Sequence, residues 1–350
     1  MKSINNSLSV VIVNYNGFNF LQACINSIIN SKTENFEIIG VDNGSKEGDV
    51  EKFRAKYQFP NTHIIALDKN YGPAYARNIG VANSRGEYLA FLDNDTLVKD
   101  DWAIQAIKLF EKNKKIGIIQ CKLLLAKDRK KIDYVGEYIG QNGFLVQPVK
   151  AGEIDEGQFD RETEILAAKS AGMFIRRTVF YKAGGFDSDY FIYVEETDLG
   201  WRTWLTGYKV VFCPWSVVYH EFGSSTIILG KVLNTYNAKF HGSKNYILTH
   251  AKNLDAQNII RILIPHIILW EGLAIYSLFK MDLNAFLWIN KGIFWNLKNI
   301  RSTLRKRVDI QSRRKISDDR LFSKIMKKRS IMYFINKAII KHKVGNAESF

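Results

Sequence analysis

The sequence predicts a mixed α/β fold in two parts: a mostly parallel open sheet with its helices over residues 1–230, and a helical, basic region over 231–350. Three observations predict it. Short apolar, β-branched runs alternate with helical periodicity through the first 120 residues. Those runs end in Asn, Asp or Gly, the chemistry of a tight turn at the end of a strand. From about residue 231 the texture changes to long stretches rich in Ile, Leu, Phe and Trp with basic punctuation.

The elements follow in order. Ser9–Val13 is a continuous apolar run that suits a strand buried on both faces of a parallel sheet. Phe18 to Asn30 carries Leu21, Ile25, Ile28 and Ile29 at helical spacing. Phe36–Val41 is a second strand, closed by Asp42-Asn43-Gly44-Ser45. Thr62–Leu67 is a third, Pro73–Ala82 a helix, and Tyr88–Leu92 a fourth strand that ends at Asp93-Asn94-Asp95. An amphipathic helix covers 101–115, irregular Gly-containing chain 130–165 suggests hairpins or a loop over the site, and 166–230 returns to mixed structure. Ligands of open α/β sheets bind outside the carboxyl ends of the strands. Asn14 to Asn16, Asp42 and Asp93 to Asp95 are therefore expected to converge on one crevice.

Composition narrows the function classes. With 46% hydrophobic residues the chain has ample material for a core, which excludes wholesale disorder. Three cysteines without a CxxC pair argue against a structural zinc site or a disulfide framework and suit a reducing compartment. The run Leu8–Val13 is too short for a secretory signal. Of the 50 Lys and Arg and 35 Asp and Glu, residues 231–350 hold 23 and 7, leaving a nearly neutral body of 27 and 28. A tail this basic is expected to meet anionic lipid or nucleic acid rather than to serve the fold. Residues 258–279 approach the length of a membrane span, but Arg261, Pro265, His266 and Glu271 interrupt them. A helix lying in the interface fits better, followed by the polybasic runs Arg305-Lys306-Arg307, Arg313-Arg314-Lys315 and Lys327-Lys328-Arg329. The expected location is the cytoplasmic face of the cell membrane, peripherally bound to its anionic surface.

Asp93-Asn94-Asp95 is the sharpest local signal. Two carboxylates two apart at a strand end suit one hard divalent cation, Mn²⁺ or Mg²⁺, bridging to phosphate; the plain alternative is a strand-terminating turn. It stands in a series. Ser9–Gly17 precedes it, then Val41–Ser45, then Asn70-Tyr71-Gly72-Pro73 through Arg77 to Gly80; Gly184-Gly185-Phe186-Asp187 and Tyr193-Val194-Glu195-Glu196-Thr197-Asp198 through Arg202 follow. In order and spacing this series resembles the family 2 glycosyltransferases of GT-A fold, rhamnosyltransferase-type members most of all, over roughly residues 8–226.

The resemblance implies an inverting, metal-dependent glycosyltransferase that takes a sugar from a nucleoside diphosphate (dTDP, UDP or GDP) to a glycan or lipid-linked acceptor during surface polysaccharide assembly. Val13 and Tyr15 match the strand end that meets the base, and Asp42 the acidic contact to base or ribose, with a turn cap as its alternative. Asn70, Gly72, Arg77, Asp93 and Asn94 match the nucleotide-sugar site. Asp95 is the expected metal ligand, with Asp93 beside it and His220 as a third. Glu196 is the expected base, with Glu195 second; the family commonly places Asp where Glu196 stands, so the carboxylate here sits one methylene further out. Ala171, Gly172, Asp187 and Trp201 match the pocket for acceptor and donor sugar, although sheet packing for Ala171 and Gly172, and a turn cap for Asp187, account for them equally well.

Three competing readings have weaker support. A nucleotidyltransferase is expected to carry a Gly-rich loop with Lys or Arg near its N-terminus, and Asn14 to Asn19 contains neither. Nucleic-acid binding through the basic tail lacks any accompanying helix-turn-helix, zinc or RNA-binding signature. A catalytically degenerate scaffold is kept open by Glu196.

Overall fold

The computed structural model describes residues 7–46, 49–221, 235–329 and 333. The polar segment 222–225 and most of the chain beyond 329 lie outside the described residues. Strands β1 (Leu8–Asn14), β2 (Phe36–Asp42), β3 (Thr62–Ala66) and β4 (Tyr88–Asp93) alternate with helices α1 (Phe18–Ile29), α2 (Asp49–Lys56) and α3 (Pro73–Ala82). The alternation read from the sequence is present, with α2 added. Next come β5 (Thr96–Val98), α4 (Trp102–Lys112), the long β6 (Ile116–Leu125), and the short strands β7 (Lys131–Tyr134), β8 (Tyr138–Gly140), β9 (Leu145–Val146), β10 (Glu153–Ile154) and β11 (Thr163–Glu164). β12 (Met173–Arg176), α5 (Arg177–Ala183), α6 (Glu195–Leu205) and β13 (Lys209–His220) complete the first part.

The sheet runs β10-β7-β6-β12-β4-β1-β2-β3. β1 lies parallel between β2 and β4, and β3 extends that parallel half. β12 runs antiparallel between β4 and β6, while β13 lies parallel along β6 and antiparallel to β5. Side chains alternate across such a sheet. Val10, Ile12, Ala90 and Leu92 therefore pack with α1 and α4, through Leu21, Ile25, Trp102 and Phe110. Val11, Leu89 and Phe91 face the opposite core, with Phe180, Phe186 and Leu199 from the region of α5 and α6.

Among the described residues five helices follow: α7 (Thr235–Asn253), α8 (Ala256–Phe279, with a π-helical turn at Ile259–Leu263), α9 (Leu283–Lys298), α10 (Ile300–Ser312) and α11 (Asp318–Ile325). β14 (Met326–Lys327) then pairs with β8, which pairs with β9, in a small separate sheet. Tyr246, Leu248, Trp270 and Leu321 belong to the same hydrophobic cluster as Ile165 and Trp201, so the two parts share one core. α8 is the one helix among the described residues long and apolar enough to cross a membrane by length and composition.

Several basic residues of this region serve the fold, which corrects the expectation for those residues. Lys252 lies 2.6 Å from Asp187 and 3.1 Å from Asp198, and Lys306 lies 2.5 Å from Asp187 and 2.6 Å from Asp189. Lys324 meets Glu164 at 2.6 Å, and Arg307 donates to the carbonyls of Ala251 and Leu254. The cause is electrostatic: the first part buries carboxylates around 187–198, and a buried charge needs a partner. Burial acts against ionisation of Asp187, but Lys252 and Lys306 outweigh it and hold the carboxyl well below its usual range.

α6 lies tight against residues 166–167. A Cβ added at Gly200 would sit 2.5 Å from Ala167 Cβ and 2.7 Å from the Leu166 carbonyl. Gly200→Ala is therefore expected to destabilise the protein by roughly 1–3 kcal/mol despite its better helix propensity. A lowered urea midpoint would check this; an unchanged or raised midpoint would contradict the packing described.

Candidate active site

The carboxyl ends of β1, β2 and β4 meet because these strands are parallel neighbours, with Asn14 beside Asp42 and Val13 beside Asp93. The three polar clusters converge as expected. Asn14, fully buried, is their centre: its amide donates to Asp42 Oδ1 at 2.8 Å, and its Oδ1 accepts from the Asn94 amide at 2.8 Å. Asp42 also accepts from the Ser45 hydroxyl at 2.5 Å and the Ser45 N–H at 2.9 Å, so its carboxylate closes its own turn. Asn70 accepts from the Asn43 amide and the Gly72 N–H, both at 2.9 Å, which ties the loop before α3 to the loop after β2. Val13 and Tyr15 are half-buried at the end of β1.

Asp93, Asp95 and His220 offer ligand atoms that all lie within 4.8 Å of one another. Topology explains the third member. β13 runs antiparallel to β5 with His220 opposite Thr96, which sets the ring beside Asp95, its Nε2 3.4 Å from Asp95 Oδ1. His220 Nδ1 faces Asp133 Oδ2 at 2.9 Å. Burial opposes the charged ring, but the hydrogen bond to Asp133 and the proximity of Asp95 outweigh it and hold its pKa well above the ordinary value. Two carboxylates and an imidazole oriented by a further carboxylate suit a divalent cation, which would take the place of the ring's Nε2 proton. Asp133 gave no signal in the sequence, where it is one carboxylate in an irregular stretch.

Opposite this set stands the carboxylate pair at the start of α6. Arg77, buried on α3, donates to Glu195 Oε1 at 2.9 Å and to Asp93 Oδ1 at 3.3 Å, and lies 3.8 Å from Glu196 Oε1. Glu195 is sealed in, with its side chain 4% exposed; burial, then repulsion from Glu196, push its pKa up to about 7 against the pull of Arg77. Glu196 is the accessible member at 21% exposure. Its Oε1 accepts from the Ser170 N–H at 2.7 Å and from the Ser170 hydroxyl, which also lies 3.4 Å from Asp93 Oδ1. Ser170 was not singled out from the sequence, although it directly precedes the Ala171-Gly172 segment that was.

The segment that delivers this pair is strained. Phe191, Tyr193 and Val194 have φ of 63°, 69° and 68°, a left-handed conformation that costs a non-glycine residue about 1–3 kcal/mol. The β-branched Val194 is the least suited of them. α7 holds the segment in place: the Asn245 amide donates to the carbonyls of Tyr190, Ile192 and Tyr193 at 3.2, 2.8 and 2.8 Å, and Lys244 Nζ to those of Asp189 and Tyr190 at 2.6 and 3.2 Å. Gly72, at φ 84°, admits the same segment from the other side, since a Cβ there would lie 2.5 Å from the Phe191 carbonyl.

Four residues expected in the pocket are placed elsewhere. A Cβ on Gly172 would meet Leu123 at 2.6 Å and Cys121 at 3.2 Å, and Ala171 is buried in the core, so these small residues serve sheet packing. Asp187 is the counter-ion of Lys252 and Lys306 and caps the following turn through the Asp189 N–H at 3.1 Å. Trp201 is buried, with its ring against His250 and Phe322. It belongs to the face of α6 that packs on the C-terminal helices.

The open sheet with β1 between parallel β2 and β4, the Asp-x-Asp sequence at the end of β4 and the carboxylate pair at the start of α6 agree with the GT-A fold. Residues 9–180, just under half of the chain, match the model described as glycosyl transferase family 2, and that part of the chain belongs to the family. An uncharacterized glycosyltransferase of Haemophilus influenzae is 28% identical over 273 residues, 74% of this chain and 84% of that protein. The O-antigen biosynthesis protein RfbC of Myxococcus xanthus is 25% identical over 211 residues, 58% of this chain but only 16% of RfbC. Among solved structures, GalNAc-T7 with UDP, GalNAc and Mn²⁺ superposes with a TM-score of 0.56 at 17% identity, over 84% of this chain and 57% of that one.

The clamp on the strained segment yields a test outside the matched region. Asn245→Ala leaves three carbonyls without their shared donor and is expected to lower stability by roughly 1–3 kcal/mol. Turnover is expected to fall by more than the folded fraction does, because the segment that sets Glu195 and Glu196 loosens. Full turnover per folded molecule in the variant would show that the clamp is dispensable.

Proposed function

We propose that the chain moves a sugar from a nucleoside diphosphate to a hydroxyl of a lipid-linked glycan, with inversion at the anomeric carbon, at a membrane surface bearing anionic lipid on its cytoplasmic side. The observation that carries this reading is the joining of two functional sets by one residue: Arg77 touches Asp93 of the cation site and the Glu195–Glu196 pair across the crevice.

The residues divide the work. Asp42, through Ser45, shapes the loop that borders the base, and Asn14 and Asn94 fix that loop against β4. Asp93 lies near the ribose. Asp93, Asp95 and His220 would hold Mn²⁺ or Mg²⁺, which when bound neutralises charge on the departing diphosphate. Glu196, partly exposed and oriented by Ser170, takes the proton of the acceptor hydroxyl. The freed oxygen attacks the anomeric carbon from the face opposite the diphosphate; the bond to the diphosphate oxygen breaks and its electron pair leaves with that group. Glu195, buried on Arg77, positions its neighbour and keeps Arg77 in place. The proposed donor is a dTDP, UDP or GDP sugar, rhamnose among them. The relation to an O-antigen biosynthesis protein supports a role in surface glycan assembly.

Two measurements test the reading. One nucleotide among UDP, dTDP and GDP is expected to raise the melting temperature only with Mn²⁺ or Mg²⁺ present, and not in Asp95→Ala; at a hundredfold excess over Kd the stabilisation is about 2.7 kcal/mol. Glu196→Gln is expected to keep that stabilisation while turnover drops by about a hundred- to ten-thousand-fold. No shift with any nucleotide in folded protein, or undiminished turnover in Glu196→Gln, would refute the assignment.

A further inference from the structure

Helices α8 and α9 carry apolar stripes on their outward faces and several small or polar residues on their inward ones. The buried residues of α8 are Asn258, Ile262, Leu263, His266, Trp270, Ala274 and Ser277, and those of α9 are Ala285, Ile289, Gly292 and Asn296. Five of these eleven are polar or glycine, and they are used. His266 Nδ1 donates to the Asn142 carbonyl at 2.8 Å while its Nε2 accepts from the Trp270 indole at 2.9 Å; the Asn296 amide donates to the Lys244 carbonyl at 3.0 Å. A Cβ on Gly292 would meet Ser243 and the Phe240 carbonyl, so α9 and α7 touch at their backbones. The outward stripe of α8, by contrast, is Ile260, Ile264, Ile268, Ile275 and Phe279, and that of α9 is Leu283, Leu287, Phe294 and Leu297. Both stripes keep the three- and four-residue steps of one helical face. The turn between the helices carries the most exposed large apolar side chains of the pair, Phe279 at 81% and Met281 at 92%.

A helix in water places its apolar stripe inward and its polar groups outward. The opposite arrangement, with small and polar residues at helix contacts and Ile, Leu and Phe outside, is how helices pack when the outer solvent is hydrocarbon. Charge selects the kind of surface. Residues 256–305 hold six basic side chains, Arg261, Lys280, Lys291, Lys298, Arg301 and Arg305, all exposed, against Glu271 and Asp282. Asp282 is itself occupied by the Ala285 N–H and Lys239. The inner face fastens α8 to the body through Asn142, so α8 meets a bilayer with its outer stripe alone although its 24 residues extend about 36 Å.

We infer that the α8–α9 hairpin is a one-sided membrane-insertion ridge: Phe279, Met281 and Leu283 at its tip enter the acyl region of a bilayer while the surrounding Lys and Arg bind anionic headgroups. This deepens the membrane part of the proposed function, and it is tested without donor sugar or catalysis. The full chain is floated with vesicles of phosphatidylcholine containing phosphatidylglycerol, and with phosphatidylcholine alone, at about 0.15 M salt. Wild type is expected to float with the anionic vesicles and to partition more weakly onto the neutral ones. Phe279→Glu/Met281→Glu, which alters two exposed tip residues, is expected to lose at least about tenfold in partitioning, with unchanged circular dichroism and unchanged nucleotide-dependent melting. Wild type remaining with the lipid-free fraction, or a double variant floating like wild type, would overturn the inference. So would self-association that the double variant abolishes without any vesicle binding, since the ridge would then belong to a second copy of the chain. Loss of nucleotide stabilisation with vesicle binding intact would count against the transferase reading alone.

Discussion

The site depends on one buried cation. Arg77 is set into the protein by α3, and its guanidinium contacts Asp93 and Glu195 with Glu196 just beyond. Burying a guanidinium or a carboxylate alone is costly, and removing one partner of a buried pair leaves the other uncompensated. These groups therefore constrain one another. α6 must begin where Glu195 meets Arg77, β4 must end where Asp93 does, and α3 must start close enough to β4 to serve both. Asn78, the next residue on α3, pins the turn before α6 in two directions, donating to the Phe186 carbonyl at 2.7 Å and accepting from the Phe186 N–H at 3.0 Å. β4 and α6, distant in sequence, are thus registered by two adjacent residues of α3.

Much of the first part was legible from the sequence because its signals are local. The β-α-β alternation, the strand ends at Asn14, Asp42 and Asp93, and the helix over 73–82 follow from periodicity and turn chemistry, and the structure has them within a residue or two. Asp93, Asp95 and His220 were brought together only by the family resemblance, since the pairing of β13 with β5 that unites them is not visible in composition or spacing. What remained hidden is the set of residues whose role is relational. Ser170 and Asp133 are ordinary polar residues until topology places them against Glu196 and His220. The pocket residues Gly172 and Trp201 failed for the same reason in reverse: smallness and aromaticity serve packing as readily as binding, and only the positions of Leu123 and His250 decide between them.

The charge imbalance between the two parts has a double meaning that a count of basic residues does not separate. Some of the excess is internal. Lys252 and Lys306 neutralise Asp187, Asp189 and Asp198, so the two parts are complementary surfaces of one core. Other basic residues, among the described ones, are on exposed positions of α8, α9 and α10, beside apolar side chains that water would not favour. The same residue types thus do opposite things according to burial: they bind the C-terminal helices to the body, or they mark where the body ends and a surface begins.

The two uses meet on α7. Asn296, on the inner face of the ridge, donates to the Lys244 carbonyl, and the Lys244 ammonium donates to the carbonyls of Asp189 and Tyr190 at the start of the strained segment. Asn245, one residue on, holds the rest of that segment. Lys244 is buried, and that burial brings its pKa down to about 8 even though Asp189 favours its charge. The path from an outward-facing leucine of α9 to the carboxylate of Glu196 therefore runs through two helices and one short segment joined by hydrogen bonds. Close packing of this kind transmits position. A ridge seated on a bilayer would fix the height of the carboxylate pair above the lipid, and a lipid-linked acceptor would find the base at a set distance from the surface that carries it.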